Sequence, residues 1–134
     1  MNYSKFHNFL NGPDKVAPFS HAAESDGWIQ LTGQLPTDPA NNAETLPEGI
    51  EAQTRRVMEN LILVLNELGL DLSHVISCRV YLTKFRRDYE PMNSVYKFYF
   101  LEGQLPARTC IGVTELARAA LIEIDMVAKR PSRL

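Results

Sequence analysis

The sequence predicts an α+β domain, a β-sheet with two helices packed on one face. Runs with period-two alternation dominate the chain, while one long stretch, residues 49–68, switches to a helical period. The C-terminal quarter then returns to two strand-like runs, residues 105–113 and 121–128. With 134 residues the chain is long enough for one domain, residues 1–134, around one core.

Taken in order, a short first strand precedes a loop marked by Gly12, Pro13 and Pro18. Residues 19–23 and 28–35 read as two strands joined by a turn at Ser25-Asp26-Gly27. Residues 36–47 contain Pro36, Pro39 and Pro47 and read as an exposed loop. Ile50, Val57, Met58, Leu61, Val64, Leu65 and Leu68 then recur at spacings of three and four, the apolar stripe of a helix. Gly69 suits the position just past its end. Residues 74–82 read as a strand. Asp88 is placed to cap a second helix running to about Phe100, with Val95, Tyr96 and Tyr99 as packing residues. The predicted order is ββ(β)–α–β–α–ββ, with enough helix to cover one sheet face.

The last two runs carry the most chemistry. Along the first, Arg108, Cys110 and Gly112 share a face. Along the second, Leu121, Glu123, Asp125 and Val127 share one, while Ile122, Ile124 and Met126 point the other way. The Ile-rich face is core, so Arg108 and Glu123 are predicted on the opposite face. If residues 114–119 form a hairpin loop, the paired strands project a cation and a carboxylate from one surface. That arrangement can hold a small carboxylic acid and manage its protons. A bare sheet face carrying Leu121, Val127 and Ile29 or Leu31 is unusually apolar for a monomer, so the chain is expected to associate through its sheets.

Composition excludes several classes. Hydrophobic residues make up 45% of the chain and charged residues 22%, the proportions of an ordinary globular protein. The formal charge of −2 gives no global attraction to a nucleic-acid backbone. No apolar run approaches the roughly 20 residues of a membrane helix. The N-terminus, Met1-Asn2-Tyr3-Ser4-Lys5-Phe6, lacks the apolar segment of a signal peptide. Cys78 and Cys110 lie in strand-like runs without CxxC spacing and read as two reduced thiols in a cytoplasmic protein. His7, His21 and His74 show no metal-ligand spacing, and no phosphate-binding glycine loop or nucleophile elbow occurs.

Five separated motifs in order carry a family resemblance. They are Gly49-Ile50-Glu51-Ala52-Gln53-Thr54, Met58-Glu59-Asn60-Leu61, Met92-Asn93-Ser94-Val95-Tyr96, Pro106-Ala107-Arg108-Thr109-Cys110 and Ile122-Glu123-Ile124. The chain resembles the Rid (YjgF) superfamily over roughly residues 17–129. The resemblance implies a chorismate-mutase-like (YjgF-like) fold with a mixed sheet, a homotrimer, and ligand pockets in clefts between neighbouring subunits. It also implies cofactor-free hydrolysis of reactive enamines and imines, such as 2-aminoacrylate, to 2-keto acids and ammonia. The expected partner is then a small 2-imino or 2-keto acid, with no nucleic acid, membrane, metal or cofactor.

The same resemblance assigns roles. Arg108 matches the arginine that grips the substrate carboxylate, for which a planar guanidinium fork is well suited. The pattern of residues alone fits a structural ion pair as well. Glu123 matches the glutamate that positions or activates water, a role one carboxylate can fill as base and then acid. Gly33 matches a pocket glycine and can mark a bulge; Thr32 keeps a hydroxyl where many members have serine. Cys110 matches a residue whose backbone contacts ligand or water, and Asn93 an asparagine near the site. Many deaminating members carry a tyrosine followed by Ser-Gln, where this chain has Phe19-Ser20-His21. Phe19 keeps the ring and loses the hydroxyl, which points to a different, bulkier imine. A non-catalytic 2-keto-acid-binding or regulatory module is the alternative. Endoribonuclease activity is a remote one, resting on the small basic clusters at Lys84-Arg86-Arg87 and Lys129-Arg130-Arg133, and the acidic balance opposes it.

Overall fold

The computed structural model describes residues 3–41 and 43–132. In chain order the strands and helices are β1 (Lys5–His7), β2 (Ala22–Ser25), β3 (Trp28–Gln34), α1 (Ile50–Glu67), β4 (Val75–Leu82), α2 (Phe85–Tyr96), β5 (Ala107–Gly112) and β6 (Ile122–Lys129). The strands form one mixed sheet in the order β1-β2-β3-β6-β4-β5. Neighbours run antiparallel except β4 and β5, which are parallel. Both helices pack on the same face and against each other, as the sequence predicts.

Local chemistry explains the early elements. Asp26 and Gly27 both have positive φ, 53° and 79°, and Ser25 pairs with Trp28. This is a two-residue hairpin turn of the kind Asp-Gly favours. The α1 stripe from Ile50 to Leu65 is buried, with Val57, Met58, Leu61, Val64 and Leu65 fully so. The helix ends where Leu70 N–H donates to Leu65 O and Gly69 N–H to Asn66 O, the paired bonds of a Schellman stop.

Three expectations are corrected. The second helix begins at Phe85, with Lys84 in the cap position and no side-chain cap. Asp88 is therefore inside the first turn, buried, and held by Arg87 Nε at 2.8 Å. A carboxylate is favoured there by the helix dipole, which is the physical signal that resembled a cap. The loop at 36–47 is not exposed throughout: Leu35, Pro36 and Thr37 are buried. Asn60 Nδ2 of α1 donates to Leu35 O at 3.1 Å and to Thr37 O at 2.9 Å. Asn60→Ala would strand two buried carbonyls and is expected to cost about 2–4 kcal/mol, measurable as a urea-midpoint shift.

The third correction matters most. β5 and β6 do not form a hairpin, because β4 lies between them. Val113 N–H donates to Leu82 O on one side and Thr83 N–H to Leu121 O on the other. Period-two alternation is the same in a hairpin and in a parallel crossover, so it could not choose between them. The consequence is a change of face. Arg108 is the lateral neighbour of Cys78, Cys110 of Val80 and Gly112 of Leu82, and those β4 residues face the helices. Arg108 is therefore on the helix side of the sheet, while Glu123 is on the open side. Ile29 and Leu31 also face the helices and are fully buried. The open face instead mixes Trp28, Ile111 and Val127 with Gln30, Arg79, Tyr81, Glu123 and Asp125.

The β1–β2 edge is closed by a polar clasp. Arg130 donates to both oxygens of buried Glu24, at 2.7 and 3.1 Å, and to Leu68 O at 2.8 Å. His7 approaches Glu24 at 2.9 Å. The Arg130 hydrogen bonds hold the Glu24 carboxyl below its ordinary value, against the opposing effect of burial and with help from His7. A depressed folded-state value stabilises the fold above the ordinary 4.5, and that contribution is lost as pH falls through the depressed value. Arg130→Met is expected to cost about 2–3 kcal/mol at neutral pH and to flatten this acid limb in urea melts.

Candidate functional site

The structure sorts the predicted residues into two groups on different parts of the molecule. Phe19, Thr32, Gly33 and Glu123 line one cavity of about 270 Å³. Asn93, Arg108 and Cys110 belong to the α2–β5 side and do not touch it. Within one chain, Arg108 and Glu123 are not brought together.

The cavity floor is built by a bulge. Leu31 pairs with Met126 and Gln34 with Ile124, so β3 spends three residue steps where β6 spends two. The extra residue lies in the Thr32-Gly33 segment. Gly33 then passes directly over Glu123: a Cβ here would overlap the carboxylate, with Glu123 Cδ only 3.1 Å away. Thr32 Oγ1 donates to Ser20 O at 2.5 Å, fixing the hydroxyl. Val16, Ala17, Phe19, Leu35 and Ala117 complete apolar walls.

Glu123 is half-buried and has no hydrogen-bond partner among the described residues. Burial, and then the neighbouring Asp125 charge, push its carboxyl above the ordinary value. Asp125 is differently placed on the same face. It accepts from Arg79 Nε at 2.9 Å and from the Tyr81 hydroxyl at 3.1 Å, so its charge is already compensated. Of the two adjacent carboxylates, Glu123 is the one left available.

On the other side, the Arg108 guanidinium lies 4.9 Å from the Tyr96 ring centre and 5.8 Å from that of Tyr89. It reaches Met92 Sδ at 3.9 Å and the Tyr89 hydroxyl at 3.5 Å. Among the described residues no carboxylate pairs with it. Tyr89, Met92, Asn93 and Tyr96 lie at helical spacings of three, four and seven, so α2 turns one face to the arginine. Asn93 Oδ1 is buried without a partner. The Tyr96 hydroxyl is also without a partner of ordinary hydrogen-bond geometry and lies beside the Cys78 thiol. The result is a fixed cation, stacked on aromatic rings and lacking its own anion. Tyr89 and Tyr96 were not singled out as arginine holders from sequence; their i, i+7 spacing with Met92 and Asn93 was the available signal.

Cys78 and Cys110 are free thiols. Burial pushes Cys78 up to about 11 and also raises Cys110, with Arg108 opposing both. Neither is an activated nucleophile near neutrality. Among the described residues no group of three or more His, Cys, Asp or Glu is placed to hold a metal, and no helix is long and apolar enough to cross a membrane.

A six-stranded mixed sheet backed by two helices, with a bulge carrying glycine over a strand carboxylate, defines an α+β domain of the chorismate-mutase-like, YjgF-like class. The chain belongs to the Endoribonuclease L-PSP family, the Rid (YjgF) superfamily, whose match spans residues 9–130. It is 42% identical over 118 residues to Protein DfrA of Myxococcus xanthus, covering 87% of this chain and 88% of that protein. It is 32% identical over 116 residues to the 2-iminobutanoate/2-iminopropanoate deaminase of Mus musculus, covering 87% and 84%. Among solved structures it is similar to E. coli TdcF with bound serine, with a TM-score of 0.85 at 27% identity, covering 95% and 99%.

Proposed function

We propose that this chain is a cofactor-free deaminase that hydrolyses reactive 2-imino and enamine acids to 2-keto acids and ammonia. The working form is a homotrimer in the cytoplasm, with each site shared between two copies. The observation that carries the reading is the pair of incomplete half-sites. Glu123 has a raised carboxyl and no partner at the floor of an apolar cavity. Arg108 is held by two aromatic rings without an anion. Each supplies what the other lacks, and in this reading a neighbouring copy joins them.

In this reading Arg108 of one copy binds the substrate carboxylate through its two-pronged fork. The imine carbon then lies over Glu123 of the next copy. The imine nitrogen takes a proton from solvent, and Glu123 takes a proton from water as the water oxygen bonds to the imine carbon and the C=N π bond breaks toward nitrogen. The resulting carbinolamine receives the Glu123 proton on nitrogen. The C–N bond breaks, ammonia leaves, and loss of the hydroxyl proton gives the ketone. A carboxyl raised above its ordinary value by burial and by Asp125 suits this exchange of roles. Thr32 and Gly33 shape the floor, Phe19 the wall, and Asn93 and the Cys110 backbone border the arginine side.

The test is an imine-lifetime assay. An amino-acid oxidase generates imines, and semicarbazide trapping reports how long they persist. Faster loss with the protein supports the reading; unchanged lifetimes across all imines overturn it. A second reading, a 2-keto-acid-binding module without turnover, is favoured by Phe19, which lines the cavity without a hydroxyl. Ligand-induced thermal stabilisation with no hydrolysis would select it.

A further inference from the structure

We infer that His21 is a positioning residue that sets side-chain specificity: it latches the wall of the Glu123 cavity in a shape that accepts aliphatic side chains larger than methyl and rejects acidic ones. This deepens the deaminase reading and rests on it for the identity of the site.

His21 is 3% exposed, and both ring nitrogens are engaged. Phe9 N–H donates to Nδ1 at 3.0 Å, and Pro13 O lies 2.6 Å from Nε2. A backbone N–H can only donate and a carbonyl can only accept, so Nδ1 is bare and Nε2 carries the proton. Both ring nitrogens are thus taken up by backbone groups. Its work is mechanical. It stacks on Phe9, with planes 13° apart, and Phe9 stacks on His7. Gly12 presses on the ring, where a Cβ would stand 3.1 Å from Cε1.

The same residue is keyed to the cavity floor. His21 O accepts from Thr32 N–H at 3.0 Å, and the adjacent Ser20 O accepts the Thr32 hydroxyl. One histidine thus ties the bulge beside Glu123 to the segment 9–13, from which the wall residues Val16, Ala17 and Phe19 follow. Without the ring, nothing else among the described residues holds Pro13 O or Phe9 N–H, and the wall loses its anchor.

The wall's chemistry gives the ligand class. Its apolar members are Pro13, Val16, Ala17, Phe19, Leu35 and Ala117, and besides His21, whose ring is bonded to the backbone, its ionisable groups are Asp14 and Glu123. Among the described residues no lysine or arginine lines it. A substrate carboxylate therefore belongs at the Arg108 side, and the substrate side chain enters the cavity. With the neighbouring copy's Arg108 taken by the substrate's own carboxylate, an acidic side chain would meet Asp14 and Glu123 and no second cation among the described lining residues. At about 270 Å³ the space is near the small end of ligand pockets, roughly 300–1,000 Å³. That suits a short aliphatic chain.

The test measures binding of three 2-keto acids by calorimetry, which does not require turnover. The probes are pyruvate, 4-methyl-2-oxopentanoate and 2-oxoglutarate. Wild type is expected to bind 4-methyl-2-oxopentanoate about 10-fold more tightly than pyruvate and 2-oxoglutarate most weakly. His21→Ala should lose more affinity for the larger acid, so that the ratio collapses toward one. His21→Gln, whose amide has both an acceptor and a donor, should recover part of it. Val16→Trp narrows the cavity without touching the latch and should selectively exclude 4-methyl-2-oxopentanoate, which keeps the test decisive if His21→Ala fails to fold. An unchanged ratio in a folded His21→Ala or in Val16→Trp, or 2-oxoglutarate bound as tightly as the aliphatic acid, overturns the inference. The expected ranking without any imine hydrolysis would support it and overturn the deaminase reading. Hydrolysis without side-chain ranking would do the reverse.

Discussion

Arg108→Ala is expected to reduce kcat/KM for 2-iminopropanoate hydrolysis by about 10²–10³-fold. Among the described residues the guanidinium has no carboxylate of its own to leave behind, so its removal takes away a ligand contact and strands no buried anion. What it leaves is the gap between Tyr89 and Tyr96, whose cation–π contacts contribute about 0.5–2 kcal/mol. The variant should therefore stay folded, with a modest drop in Tm, while activity disappears. Arg108→Lys separates charge from geometry. It keeps the cation and loses the planar fork, so an intermediate loss of about 10-fold is expected. Steady-state kinetics alongside thermal melts distinguish this from general damage. If Arg108→Ala retained activity while folded, the assignment would fail.

Glu123→Gln is the second large effect. It removes the group that accepts and returns the proton, and a loss of about 10²-fold or more in kcat is expected. Its stability should move the other way. Burial and Asp125 raise the Glu123 carboxyl above 4.5 in the folded state. Between 4.5 and that raised value the folded protein holds more protons than the unfolded chain, so stability falls as pH rises through the window. At neutral pH the ionised carboxylate is a liability that glutamine lacks, and the variant should melt no lower than wild type. In the wild-type pH–rate profile, activity should fall on the acid side as Glu123 becomes protonated, at a pH above the ordinary carboxylate value. That limb should be absent from the residual rate of Glu123→Gln. A folded variant with wild-type kcat and an unchanged acid limb would remove Glu123 from the mechanism.

Local signals were legible in the sequence, and partnerships were not. The Asp26-Gly27 hairpin, the α1 stripe and its stop at Gly69 follow from turn chemistry and helical period, which act over a few residues. The alternation of β6 correctly separated Ile122, Ile124 and Met126 from Glu123. Which strand lies beside which is a different question, because a strand reads the same whether it pairs in a hairpin or across a parallel crossover. Taking β5 and β6 as neighbours put Arg108 on the wrong face and placed it beside Glu123 within one chain. The apolar open face predicted from Ile29 and Leu31 failed for a related reason, since a strand's period does not say which of its faces meets the helices. The His21 latch was equally hidden: its partners are the backbone groups of Phe9 and Pro13, and backbone groups leave no mark in a sequence. Arg108 and Glu123 stood out from strand alternation as a cation and a carboxylate, while their roles and the remaining site residues came from the family resemblance.

The shared site can be tested by mixing two inactive chains. Arg108→Ala and Glu123→Gln proteins would be co-expressed with different tags, mixed oligomers isolated, and imine hydrolysis measured. If each site takes arginine from one copy and glutamate from its neighbour, every mixed trimer regains one intact site of its three, roughly a third of wild-type activity. Neither variant alone should exceed background. If both groups of a site came from the same chain, no combination would rebuild an intact pair. Mixed oligomers that stayed at background would contradict a site shared between copies.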